Sequence, residues 1–139
     1  MIRGYMGKIL NVDLSRRIIQ EEKLDEKLLR DFIGGARLIF NRQRAKADAL
    51  GPENTIGLVT GPFTGTAVPY GGRYQAVGKS PLTGCWGDAN AGGHFGPGLK
   101  RAGYDAVFVT GASDKPVYIF INNGEAELRD AGHLWGKDT

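Results

Sequence analysis

The side chains best suited to holding a ligand lie in one glycine-crowded stretch, Tyr70 to Gly98, which reads YGGRYQAVGKSPLTGCWGDANAGGHFGPG. Arg73 follows Gly71-Gly72, and a guanidinium there can form a bidentate pair with a phosphate that the glycines admit close to the main chain. Asn90 precedes Ala91-Gly92-Gly93 and can offer its side-chain amide and main-chain groups to the same anion. The same residues also fit an ordinary asparagine–glycine turn. Glycine permits positive φ and close backbone approach at a cost in conformational entropy, so the run serves either tight turns or a ligand laid against the main chain.

Other chemistries fit the spacing less well. GGRYQAVGKS imitates a phosphate loop, but the position that needs glycine is Arg73, and Pro69 and Pro81 flank the segment where a strand and a helix are required. Gly93, Gly96 and Gly98 have the wrong order of gaps for a dinucleotide fingerprint. His94 and His133 are far apart, with no cysteine or acid cluster to complete a zinc site. Ser80 lies beside a turn proline with no triad partner in evidence. The single cysteine, Cys85, excludes an internal disulfide and a self-contained iron–sulfur cluster, which takes about four thiolates.

The elements that must position Arg73 and Asn90 are short. Lys8 to Leu14 alternates, placing Leu10, Val12 and Leu14 on one face, and Ile18 to Glu21 returns beside it after Ser15-Arg16-Arg17. Asp25 is a good N-cap for a helix carrying Leu28, Leu29, Phe32 and Ile33 up to Gly34-Gly35. A second helix is expected from Ala36 towards Ala47, with Leu38, Ile39 and Phe40 as its apolar patch. Strands are expected at Thr55–Thr60, Arg73–Val77, Cys85–Asn90 and Asp105–Thr110. A helix is expected from His94 to Ala102, with Pro97 in its first turn and Gly103 at its end. Val117–Ile121 pairs with Ala126–Arg129 through Asn123-Gly124, a strong hairpin signal. The fold class is α+β, mostly antiparallel sheet with hairpins and about three short helices, in one domain over residues 1–139.

The 139 residues suit a single core, and 22 glycines are about twice the usual share of roughly 7%. No window approaches the ~18 apolar residues of a membrane span, and MIRGYMGKILNVDL lacks a signal-peptide apolar region. A soluble, cytoplasmic protein is expected. The net charge of +3 is mild. The loose cluster Arg37, Arg42, Arg44 and Lys46 reads as solvated surface, with an anionic ligand or acidic partner as the other reading, and it forms no dense stripe for nucleic acid.

The motifs GPFTGTAVPYGGRYQAVGKSPLTG, ANAGGHFGPGLKRAGYDAVFVTG, KPVYIFI and LWGKDT, in this order after MGKILNVDLS, IGGARL and GPEN, resemble the amino-terminal domain of the tungsten-containing aldehyde:ferredoxin oxidoreductases. The resemblance covers essentially the whole chain. It implies an α+β base carrying a tungsten (or molybdenum) bis-pterin with a bridging magnesium. The implied enzyme oxidises an aldehyde with water to a carboxylic acid and passes two electrons through a four-iron cluster to ferredoxin. It assigns pterin contacts to Arg73, Asn90, Gly92 and the adjoining Gly93, and a magnesium ligand to the main-chain oxygen of Asn90. Family members run on for several hundred residues, and the cluster cysteines, the second pterin segment and the acid and histidine near the metal have no counterpart here. The chain is therefore expected to be inactive alone and to need remaining domains or a partner subunit. The alternative reading is a non-catalytic pterin-binding or assembly module that uses the same fold and pairs with itself as a homodimer. Asp88 and Pro97 depart from the pattern, and Asp88 would repel a phosphate unless it faces away or helps hold a cation.

Overall fold

A computed structural model describes residues 4–31 and 36–138. Strand β1 (Lys8–Asp13) and strand β2 (Ile18–Lys23) form the expected hairpin, in register from Lys8↔Lys23 to Asp13↔Ile18. Its turn is closed by Arg17 at φ 54 and by the Arg16 N–H donating to Asp13 Oδ1 at 3.0 Å. Ile9 is buried on one face of β1, Leu10 and Val12 on the other. A strand covered on both sides belongs inside a sheet.

Strands β3 (Ile56–Thr60), β4 (Tyr74–Lys79), β5 (Trp86–Ala91) and β6 (Ala106–Thr110) complete that sheet, in the order β2-β1-β6-β3-β4-β5. Among the described residues the β1–β6 pairing is parallel and every other pairing is antiparallel. The α+β, mostly antiparallel class holds. The parallel pair is fixed from outside the strands. The Asp105 N–H donates to Lys8 O at 2.7 Å, and its carboxylate accepts the main-chain N–H groups of Met6 at 3.0 Å and Gly7 at 2.7 Å. Lys100 forms a buried ion pair with Asp105 and also donates to Gly4 O at 2.8 Å. Both buried charges thus have hydrogen-bond partners, the condition under which such a pair persists.

Helix α2 (Ala36–Arg42) covers one face, setting Leu38 and Ile39 on Ile9, Val59, Val77, Ala106 and Phe108. It lies so close that a Cβ on Gly57 would stand 1.5 Å from Ile39 Cδ1. The other face buries Leu10, Val12, Tyr104 and Val107 under Leu99 of helix α3 (Phe95–Arg101) and under a hairpin of β7 (Val117–Asn122) and β8 (Glu125–Asp130). Asn123 at φ 49 and Gly124 at φ 84 form the left-handed pair that a tight hairpin requires.

Helix α1 (Glu26–Asp31) starts at Asp25, whose Oδ1 accepts the Lys27 N–H at 3.1 Å. Phe32, Ile33 and the Gly34-Gly35 break lie outside the described residues, as does the side chain of Leu28. Helix α2 stops at Arg42 instead of running towards Ala47. Gln43 donates to Asn54 Oδ1 at 3.1 Å and accepts the Thr55 N–H at 3.0 Å, while Lys79 Nζ binds the carbonyls of Ala45 and Ala47. These partners hold a turn where a further helical turn was expected. Phe40 is also outside the core, exposed and edge-on to Trp86 with ring centroids 5.6 Å apart.

Candidate functional site

The strands bring Arg73 and Asn90 to one end of the sheet. β3 leaves at Thr60 opposite Tyr74, and Tyr74 pairs with Ala91, so the 61–73 connection and the 91–94 segment emerge side by side. Asn90 sits opposite Gln75 on the facing strand. Arg73, Gln75 and Asn90 share a cavity of about 250 Å³, with Phe63 and Tyr70 among its other lining residues.

Thr64 builds the floor of this end. Its buried hydroxyl donates to Arg73 O at 2.8 Å and accepts the Gly61 N–H at 3.2 Å. Its methyl would stand 2.9 Å from a Cβ on Gly96, so a side chain at 96 would push α3 off the loop. Gly65 N–H donates to Gly71 O at 2.8 Å and Gly71 N–H to Val68 O at 3.1 Å. The segment that precedes Arg73 is thereby folded back on itself, and Arg73 begins from a fixed main chain.

The electrostatics single out Arg73. No carboxylate among the described residues pairs with its guanidinium, which is exposed. Arg42 and Arg44, from the sequence cluster, instead contact Glu22 at 2.5 Å and Glu53 at 2.8 Å. They line a second cleft of about 460 Å³ at the opposite end of the sheet, with Asn11, Asp13 and Thr110. An arginine free of acids in a cavity with two amides is suited to an anion.

Gly92 and Gly93 adjoin the cavity along the chain. A Cβ on either would meet nothing within 4 Å, and Gly93 alone of the two has a left-handed φ, +95. At Gly92, then, neither packing nor backbone conformation calls for glycine. A group laid against the main chain there would call for it. Gly93 O approaches the Cβ position of Gly72 to 3.1 Å, which joins the two glycine segments.

Residues 9–139 match the family model for the N-terminal domain of aldehyde ferredoxin oxidoreductase. The chain belongs to this family. It is 47% identical over 138 residues to the tungsten-containing aldehyde ferredoxin oxidoreductase of Pyrococcus horikoshii, covering 96% of this chain and 23% of that protein. The aliphatic sulfonate oxidoreductase WOR-like subunit of Pyrococcus furiosus is 38% identical, covering 96% of this chain and 22% of the relative. Among solved structures, the active site complex BamBC of benzoyl coenzyme A reductase, with 1,5-dienoyl-CoA, superposes at a TM-score of 0.93 with 31% identity, over 98% of this chain and 21% of that one. The chain thus spans less than a quarter of the length of these relatives.

Within this aldehyde ferredoxin oxidoreductase domain, Asp88 lies two residues before Asn90, on the same face of β5, and accepts a long 3.5 Å hydrogen bond from its amide. It does not face away. Pro97 occupies the first turn of α3, where its missing N–H removes no helical bond. His94 precedes that helix as its N-cap but makes no side-chain cap bond, and no helix among the described residues is long and apolar enough to cross a membrane. Thr64, Gln75, Phe63 and Tyr70 were not legible as site residues. GPFTG reads in the sequence only as a loop, and period-2 alternation from Arg73 was the available signal for Gln75.

Proposed function

We propose that this chain is one wall of a tungsten or molybdenum bis-pterin site, in an enzyme that oxidises an aldehyde with water to a carboxylic acid and delivers two electrons to ferredoxin. The observation that carries the reading is Arg73, free of acids among the described residues, sharing one cavity with Asn90 beside a glycine at 92 that the fold itself does not require. When bound, the pterin-held metal would supply the redox chemistry. The chain's residues would bind and orient. Arg73 would pair with phosphate oxygens, Asn90 would offer its amide to the pterin, and Gly92 and Gly93 would let it lie on the main chain. The Asn90 carbonyl, on an edge strand of the sheet, would serve a bridging magnesium.

A cavity of about 250 Å³ is small for a ligand of this size, since small-molecule pockets run to roughly 300–1,000 Å³. This supports a site closed by remaining domains or a partner subunit, where the cluster and electron acceptor would also dock. The relatives' names span aldehydes, aliphatic sulfonates and benzoyl coenzyme A. That range favours a domain that seats the cofactor and leaves substrate choice to the rest of the enzyme.

The test is the chain purified without oxygen from a host supplied with tungstate and molybdate. Pterin and metal at a fixed ratio to protein are expected, with no aldehyde-dependent viologen reduction by the chain alone. A bare chain would contradict a wall that retains the group unaided, and viologen reduction would contradict the need for a second half.

A further inference from the structure

We propose that Tyr70 is a ligand-contact residue of this cradle, presenting its ring as a flat face to the planar ring system of a phosphate-bearing heteroaromatic ligand. The inference rests on the reading above and adds a residue to it. Tyr70 holds φ +64, a region that residues other than glycine, asparagine and aspartate rarely occupy. The other described non-glycine residues with positive φ, Arg17 and Asn123, sit in the tight turns of the β1–β2 and β7–β8 hairpins, where strand twist demands it. Tyr70 holds the third position of the Val68–Gly71 turn, after Pro69, where the turn requires a positive φ but glycine or asparagine is the usual occupant.

Burial does not offset that strain, because Tyr70 is 94% exposed. The turn Val68 to Gly71 is closed by the Gly71 N–H on Val68 O, and Gly71 sits so close to the loop that a Cβ there would be 2.7 Å from Phe63 O. Tyr70 is among the residues that line the cavity of Arg73, Gln75 and Asn90, together with the exposed Phe63. A flat π-face next to an unpaired guanidinium recognises a ligand that has both a planar ring and an anion.

The test compares two probes on the 139-residue chain, 6-hydroxymethylpterin diphosphate and inorganic pyrophosphate. Wild type is expected to bind the pterin diphosphate more tightly. Tyr70→Gly, which relieves the left-handed strain, is expected to weaken pterin diphosphate about tenfold while leaving pyrophosphate unchanged and the melting temperature equal or higher. Tyr70→Phe keeps the ring and should bind as wild type, whereas Arg73→Ala should weaken both probes. Undiminished pterin diphosphate binding by Tyr70→Gly overturns the contact, as does a melting temperature several degrees lower, which would make Tyr70 a structural residue. Equal wild-type affinity for both probes overturns the contact but leaves the anion cradle standing. Binding of neither probe overturns the cradle itself, and the role of Tyr70 with it.

Discussion

The two ends of the six-stranded sheet carry arginines of opposite circumstance. At the end where β1 and β6 finish, Arg42 and Arg44 each meet a glutamate, and the Arg42 guanidinium also lies 5.0 Å from the Phe108 ring centroid. At the end where β4 begins, Arg73 meets no acid among the described residues and stands among amides and glycines. The larger cleft belongs to the paired end, at about 460 Å³ against 250 Å³. Under the proposed function the site is the smaller of these two, and charge pairing rather than size marks it. An arginine whose charge is matched inside the fold stabilises that fold, while one left unmatched beside small residues remains available to an external anion.

The sharpest way to break this comparison is to delete each arginine in turn. Arg73→Ala should lower pyrophosphate affinity by about tenfold or more, the scale of one charge-assisted hydrogen bond of ~1.5–3 kcal/mol, with little change in melting temperature. Equal affinity in mutant and wild type would remove Arg73 from the site. Next in size is Gly71→Ala. Its Cβ would stand 2.7 Å from Phe63 O and 2.9 Å from Val68 O, both main-chain atoms that cannot swing aside. Thermal unfolding should show a loss of about 1–3 kcal/mol, the range of overpacking, and the cradle loop should lose amide protection first. Unchanged stability would mean that the loop is not held as described.

A smaller effect, remote from both clefts, calibrates the scaffold. The buried Tyr104 hydroxyl lies 2.6 Å from Glu21 Oε1 and 2.7 Å from Gly124 O, two acceptors sharing its single hydrogen. Burial, reinforced by the Glu21 hydrogen bond, pushes the phenol up to about 12. The same bond, with help from Lys8, holds the Glu21 carboxyl below its usual range. A phenol with a raised folded pKa contributes stability that is complete below about pH 10 and lost as pH climbs towards 12. Melting temperature should therefore fall through that window, and Tyr104→Phe should flatten the fall while starting lower at neutral pH. An unaltered alkaline profile would contradict the assignment. Smallest of all, Arg42→Ala should cost about 0–1 kcal/mol, as half-exposed ion pairs do, and leave pyrophosphate binding intact.

How much of this was legible in the sequence depends on how far each contact reaches along the chain. The hairpin at Asn123-Gly124 and the alternation of β1 are local patterns, and both stand as read. Arg73 and Asn90 could be paired because both lie beside glycines, and antiparallel β4 and β5 do bring them to one cavity. The parallel β1–β6 pairing was not legible, since it is set by Asp105 and Lys100 acting on the distant segment Gly4–Lys8. The sequence pattern runs helix α2 too long because its stop depends on Asn54 and Lys79. Thr64 and Tyr70 escaped for the same reason. One takes its meaning from Arg73 O and Gly96, the other from a cavity whose further lining residues come from β4 and β5.

The most direct measurement of the central claim is hydrogen–deuterium exchange across the whole chain, with and without 6-hydroxymethylpterin diphosphate. The account predicts added protection confined to the 61–73 connection and the segment around Asn90 to Gly96, with no change at Asn11, Arg42 or the 44–55 loop. Protection appearing at the Arg42–Glu22 cleft instead, with the Arg73 end unaffected, would contradict it.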